Sequence, residues 1–169
     1  MVERSRIVVG LAWALVVSAW AAGPSRAAIV INEIMYNSIE SPDVEYVELV
    51  NTGPAAQDLA GWYLLDSDPT HTRCFLTGTL GVGEYRVVAG VIADFQLKYP
   101  GVTNLNPNAF EPGYSLGNGG DVVRVFDSIG ALRDAVDYDD LAPWPTAANG
   151  TGPSLELINP GLDNVLASS

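Results

Sequence analysis

The chain has 169 residues, with 20 acidic against 8 basic side chains and a formal net charge of −12. A field of that sign repels phosphate backbones, which hold proteins by letting Lys and Arg displace condensed counterions, so DNA, RNA and anionic membranes are excluded as expected partners. One domain is expected at this length; the single cysteine, Cys74, cannot form an internal disulfide, so packing must hold the core around a buried free thiol.

The N-terminus reads as a secretory leader. Glu3, Arg4 and Arg6 open a positively charged start, Ile7 to Ala22 carry no charge, and Gly23 to Ala27 end in small residues at the positions a signal peptidase accepts. Residues 1–27 are therefore expected to be a signal peptide, cleaved after Ala27 or Ala28. Residues 28–164 then form the domain, and 165–169 a short tail. The apolar stretch is shorter than the ~20 residues of a membrane-spanning helix, so no stable membrane insertion is expected after cleavage. Cys74 lies too far away to anchor a lipoprotein, and there is no twin arginine. The expected location is secreted, periplasmic or cell-surface. Cleavage removes Arg4, Arg6, Arg26 and Glu3, which takes the formal charge to −14.

Beyond the leader, Gly and Pro punctuate short runs rich in Val, Ile, Leu and Tyr, the pattern of an all-β domain. Strands are expected at 29–36, 44–51, 59–65, 72–76, 84–89, 121–127, 132–138 and 154–158. Alternation puts Ile29, Ile31, Glu33 and Met35 on one face of the first strand. In the third, Trp62 is the residue expected to enter the core. Residues 91–99 are the one helical stretch, with Ile92, Phe95 and Tyr99 on one face and Pro100-Gly101 as a stop. Residues 100–120, rich in Asn and Pro, read as a surface loop.

Several phrases in order resemble the lamin tail domain in the form found in exported bacterial proteins. They are Ile31-Asn32-Glu33-Ile34-Met35-Tyr36-Asn37, Glu45-Tyr46-Val47-Glu48-Leu49-Val50-Asn51, Asp58-Leu59-Ala60-Gly61-Trp62-Tyr63-Leu64, Gly83 to Ala89 and Gly152 to Leu157. The resemblance implies an immunoglobulin-like Greek-key β-sandwich of about eight short antiparallel strands with one short helix. It also implies an interaction module without catalytic residues. The family pattern usually continues past a phrase such as Asn159 to Asn164, so the short end from Val165 is what a truncated product or a fragment of a longer protein would have.

Four features could carry chemistry. Glu33 and Glu48 lie on neighbouring apolar strands as a carboxylate pair; this is either an acid/base or metal site or, as the structural reading, a partly buried ion pair with Arg86 or Arg124. Asp66-Ser67-Asp68-Pro69-Thr70-His71 and Asp137-Tyr138-Asp139-Asp140 are acidic runs whose oxygens, from Asp66, Asp68, Asp137 and Asp139 with Asp134 as a further donor, could take Ca²⁺. Their structural reading is Asx turns and a solvated strand end. Trp144, held between Pro143 and Pro145, offers a ring for stacking on a sugar or a proline, with Tyr138 beside it, or else a cover for the end of the sandwich. His71 has no second histidine with which to build a zinc site, and no serine sits in a nucleophile elbow.

Two functional readings follow. The first is an exported, non-enzymatic module that binds a protein or a surface polymer, with Ca²⁺ as the cation its acidic loops would take. The second is a metal-dependent hydrolase or nuclease that uses Asp66, Asp68, Asp137 and Asp139.

Overall fold

The β-branched and aromatic runs pair as antiparallel ladders, which is how such side chains pack best on a pleated surface. A computed structural model describes residues 29–39 and 44–168, so the expected leader at 1–27 lies outside the described residues. The strands are β1 (Ile29–Met35), β2 (Tyr46–Asn51), β3 (Gln57–Asp58), β4 (Tyr63–Leu65), β5 (Cys74–Phe75), β6 (Thr79–Leu80), β7 (Tyr85–Ala89), β8 (Asp121–Phe126), β9 (Leu132–Tyr138) and β10 (Leu155–Glu156), with helix α1 (Ile92–Lys98) between β7 and β8. A first sheet runs β10-β1-β2-β7 and a second runs β5-β4-β8-β9, while β3 and β6 form a small ribbon. Two packed antiparallel sheets make the immunoglobulin-like sandwich.

The inner faces meet in one core. Ile29, Ile31 and Ile34 of β1, Tyr36 just beyond it, and Leu49 of β2 pack with Leu64, Val125 and Tyr138 from the second sheet. Each such aliphatic side chain contributes about 1.5–3 kcal/mol on full burial. Trp62 is buried as expected, and so is Tyr63 beside it. Tyr36 and Tyr138 stack across the sandwich with ring centroids 4.6 Å apart.

Three expectations need correction. Strict alternation fails in β1, because Asn32 and Glu33 together oppose Glu48 in a bulge. One extra residue turns everything beyond it over. Ile34 and Tyr36 thus join Ile29 and Ile31 in the core, and Glu33 moves to the outer face. The strand expected at 59–65 starts only at Tyr63, because Gly61 adopts φ +79° in a turn closed by the Trp62 N–H to the Leu59 carbonyl. A side chain there would meet both that backbone strain and Ser128 Cβ at 3.1 Å.

The third concerns residues 100–120, which are packed rather than superficial. Phe110, Tyr114 and Leu116 enter the core. Asn106 is fully buried: its backbone N–H donates to the Val87 carbonyl of β7 and its Nδ2 to the Phe75 carbonyl of β5, while its Oδ1 accepts from the Thr77 N–H. A segment without repeating secondary structure can be buried when side-chain amides satisfy the backbone in this way.

Helix α1 has Asp94 in its first turn and Lys98 in its last, both favourable to the helix dipole. Its Phe95 packs with Val44, Val87 and Ala89, which places the helix on the outer face of the first sheet. Among the described residues, no helix is long and apolar enough to cross a membrane.

Candidate functional site

The bulge at Asn32 creates the most unusual chemistry of the molecule. Glu33 faces Glu48 on one side and Glu156 on the other, so three carboxylates stand in one row across β10, β1 and β2. Like charges directly opposite each other destabilise a sheet. The row is nevertheless served by local donors. Glu33 Oε1 accepts from the Tyr46 hydroxyl at 2.7 Å and from the Ser154 hydroxyl, and Glu48 Oε1 accepts from Asn32 Nδ2 at 2.9 Å. Burial, reinforced by the charges of Glu33 and Glu156 and opposed by the Asn32 bond, raises the Glu48 carboxyl above its ordinary range. Glu33 and Glu48 do stand together, but not with the arginines expected for them. Arg86 donates to the Thr77 and Thr79 carbonyls, and Arg124 to the Asp66 carbonyl.

On the β10 side, Glu33, Ser154 and Glu156 form one wall of a groove of about 190 Å³, with Trp144, Pro145 and Leu166 among its other lining residues. Trp144 is half-buried: part of the indole packs on the core and part borders the groove, and the Trp144 N–H to the Leu141 carbonyl holds the segment in place. An aromatic wall beside carboxylate and hydroxyl groups suits a ligand that stacks one face and donates hydrogen bonds from hydroxyl or amide groups. A second cleft of about 140 Å³ lies on the α1 side of Glu33, bounded by Tyr46, Glu48, Phe95 and Tyr99.

Tyr138 is not the surface ring expected. It is 1% exposed, stacked on Tyr36, and its hydroxyl donates to the Gly117 carbonyl.

The acidic runs do not converge. Asp66 is buried; its Oδ1 accepts from the Asp68 N–H and its Oδ2 pairs with His71 Nδ1 at 2.7 Å. Asp68 Oδ1 takes the Thr70 N–H and hydroxyl. Asp137 is exposed on β9 opposite Val122, and Asp139 caps the Leu141 N–H. One oxygen each of Asp66, Asp68 and Asp139 thus closes a local turn, as Asx residues commonly do. Among the described residues, no group of three or more His, Cys, Asp or Glu side chains is placed to hold a metal ion. His71 sits above Tyr114 with near-parallel rings 6.3 Å apart, and its bond to Asp66 raises its pKa despite the opposing cost of desolvation.

Asp134, considered above as a further cation ligand, instead joins the sheets. Its Oδ2 accepts the Ile31 N–H at 2.7 Å and Asn164 Nδ2 at 2.6 Å. Asn164 also donates to the Ile31 carbonyl, which fixes the C-terminal segment along β1. Nothing in the sequence marks Asn164 for this role beyond an amide in a polar turn.

A search of curated proteins finds no match. The family model of the Lamin Tail Domain matches residues 22–140, which includes β1 to β9 and stops short of Trp144 and β10. The match covers well over half of the chain and agrees with the sandwich it forms; this protein belongs to the lamin tail domain family, whose members are immunoglobulin-like interaction domains without catalytic machinery.

Proposed function

We propose that this protein is an exported, non-enzymatic interaction module that holds a protein segment or a surface polymer in the Trp144 groove. The observation that carries this reading is the half-buried indole of Trp144 at the edge of a groove with Glu33, Ser154 and Glu156. Membership of a family of interaction domains supports it, as does the leader-like N-terminus with its charge-free run from Ile7 to Ala22.

Removal of the leader leaves Trp62 and Trp144 as the tryptophans, and Trp62 is buried, so changes in intrinsic fluorescence on ligand binding report on Trp144. Cell-wall polysaccharides and peptides from a secreting host, titrated into the mature chain, should give a saturable shift that Trp144→Ala abolishes without lowering the melting temperature substantially. The secreted product should begin at or next to Ala28. Ligand binding that survives Trp144→Ala, or a secreted product that retains residues 1–27, would overturn the proposal.

A further inference from the structure

The outer face of the second sheet carries a row that the strand pattern did not reveal. Phe75, Tyr63, Phe126 and Leu132 are successive cross-strand partners, one from each of its four strands. Tyr63 stacks on Phe126 with centroids 4.9 Å apart and meets Phe75 edge-on at 5.9 Å. A guanidinium lies over each ring of the stacked pair, Arg73 at 4.5 Å from the Tyr63 centroid and Arg124 at 5.6 Å from that of Phe126. The ends of the row are open: Phe75 is 47% and Leu132 54% exposed.

The charge balance makes this face stand out. Acids outnumber bases by more than two to one, yet neither Arg73 nor Arg124 pairs with a described carboxylate. Arg124 donates its Nε–H and one Nη–H to the Asp66 carbonyl, a neutral acceptor, and Arg73 is exposed with its guanidinium carbon over the Tyr63 ring. A guanidinium stacked on a ring keeps its in-plane N–H edge available, the edge that takes a carboxylate in bidentate fashion. Tyr63 is covered by its neighbours, 6% exposed, and so offers no bare ring face on which a sugar could stack.

We propose that this face docks an acidic linear segment of a partner protein. Apolar side chains of that segment sit on Phe75 and Leu132 at the two ends of the row, a flanking carboxylate takes the exposed Arg73, and another approaches the N–H groups of Arg124 that the Asp66 carbonyl does not use. The rest of the molecule, strongly negative, repels such a segment, so the two arginines fix where and in which register it lands. The inference rests on the interaction-module reading but uses a face separate from the Trp144 groove.

The probe is a fluorescein-labelled Glu-Asp-Leu-Phe-Asp-Glu peptide, followed by anisotropy against the mature chain at low salt. Saturable binding is expected, weakened about tenfold or more by Arg73→Gln and again by Phe75→Ser, lost with the Gln-Asn-Leu-Phe-Asn-Gln peptide, and unchanged by Trp144→Ala. Both substituted residues are exposed, and matching melting curves establish that the variants fold. Absence of saturable binding at millimolar peptide, equal binding by Arg73→Gln, or Arg73-dependent binding of a uronic-acid oligomer in place of the peptide would each overturn the proposal. Peptide binding with no groove ligand would sink the groove reading and leave this one standing.

Discussion

Asp134 on β9 accepts the backbone N–H of Ile31 on β1 at 2.7 Å, and so ties the two sheets together across the sandwich. The bond falls where β10, which pairs with β1 at Glu33 and Ile34, leaves the earlier part of β1 uncovered. Asp134→Ala would leave the Ile31 N–H unsatisfied and take one partner from Asn164, at a cost of about 1–3 kcal/mol. The melting temperature should then fall by roughly 3–10 °C. Asp134→Asn, which retains an acceptor, should lose less. Equal stability of the alanine variant and the parent in a thermal melt would show that the bond is dispensable.

The glutamate row makes the opposite prediction. Because the folded-state pKa of Glu48 is raised, ionisation of this residue opposes folding at neutral pH, and the penalty disappears as pH falls through that pKa towards the unfolded value near ~4.3. Glu48→Gln preserves an acceptor for Asn32 and removes a like charge opposite Glu33. It should stabilise the protein by about 0.2–1 kcal/mol at neutral pH, with the gain vanishing in acid. Urea melts at both pH values measure this, and a destabilised Gln variant at neutral pH would contradict it.

His71 is the sole histidine, so its ring signals can be followed by NMR without assignment. Its pKa should lie above the usual ~6.5, because the imidazolium donates to Asp66 Oδ2. For a raised histidine, the stability it contributes is fully present below the unfolded pKa and is lost as pH rises through the folded one. Asp66→Asn should move the titration back towards the ordinary value; an unshifted pKa in the parent would refute the pairing.

Cys74 is 3% exposed, and burial pushes its thiol pKa up to about 12. The thiolate, the reactive form, is then scarce at neutral pH. Ellman's reagent should not label the native protein and should label one thiol per chain in denaturant. Rapid labelling of the folded protein would mean that the segment around Asn108, whose carbonyl accepts from the thiol, opens readily.

Much of the sandwich was legible because its strands obey simple rules. Residues 132–138 form β9 over the expected bounds, although their alternation is broken where Arg133 drops out of register between Leu132 and Asp134. The helix agreed with its apolar spacing to within a residue at each end. The errors have physical causes. A bulge leaves no mark in residue type, so Glu33 was assigned to the face opposite the one it occupies. Strands β3 and β6 have two residues each, too few for a period to show. The packing of 100–120 depends on where the Asn106 amide lands, which no local pattern encodes. The Phe75-Tyr63-Phe126-Leu132 row could not be read at all, because it exists only once four strands have found their register.

Asn106 bridges β7 through its backbone N–H and β5 through its side-chain amide, and Asp134 with Asn164 bridges β1 and β9. The sandwich is thus laced at these two places by amide and carboxylate groups, where many domains of this size and architecture use sulfur. Reductant has nothing to cut at these seams, and no oxidant is needed to sew them, so the domain can finish folding on either side of a membrane without waiting for an oxidoreductase.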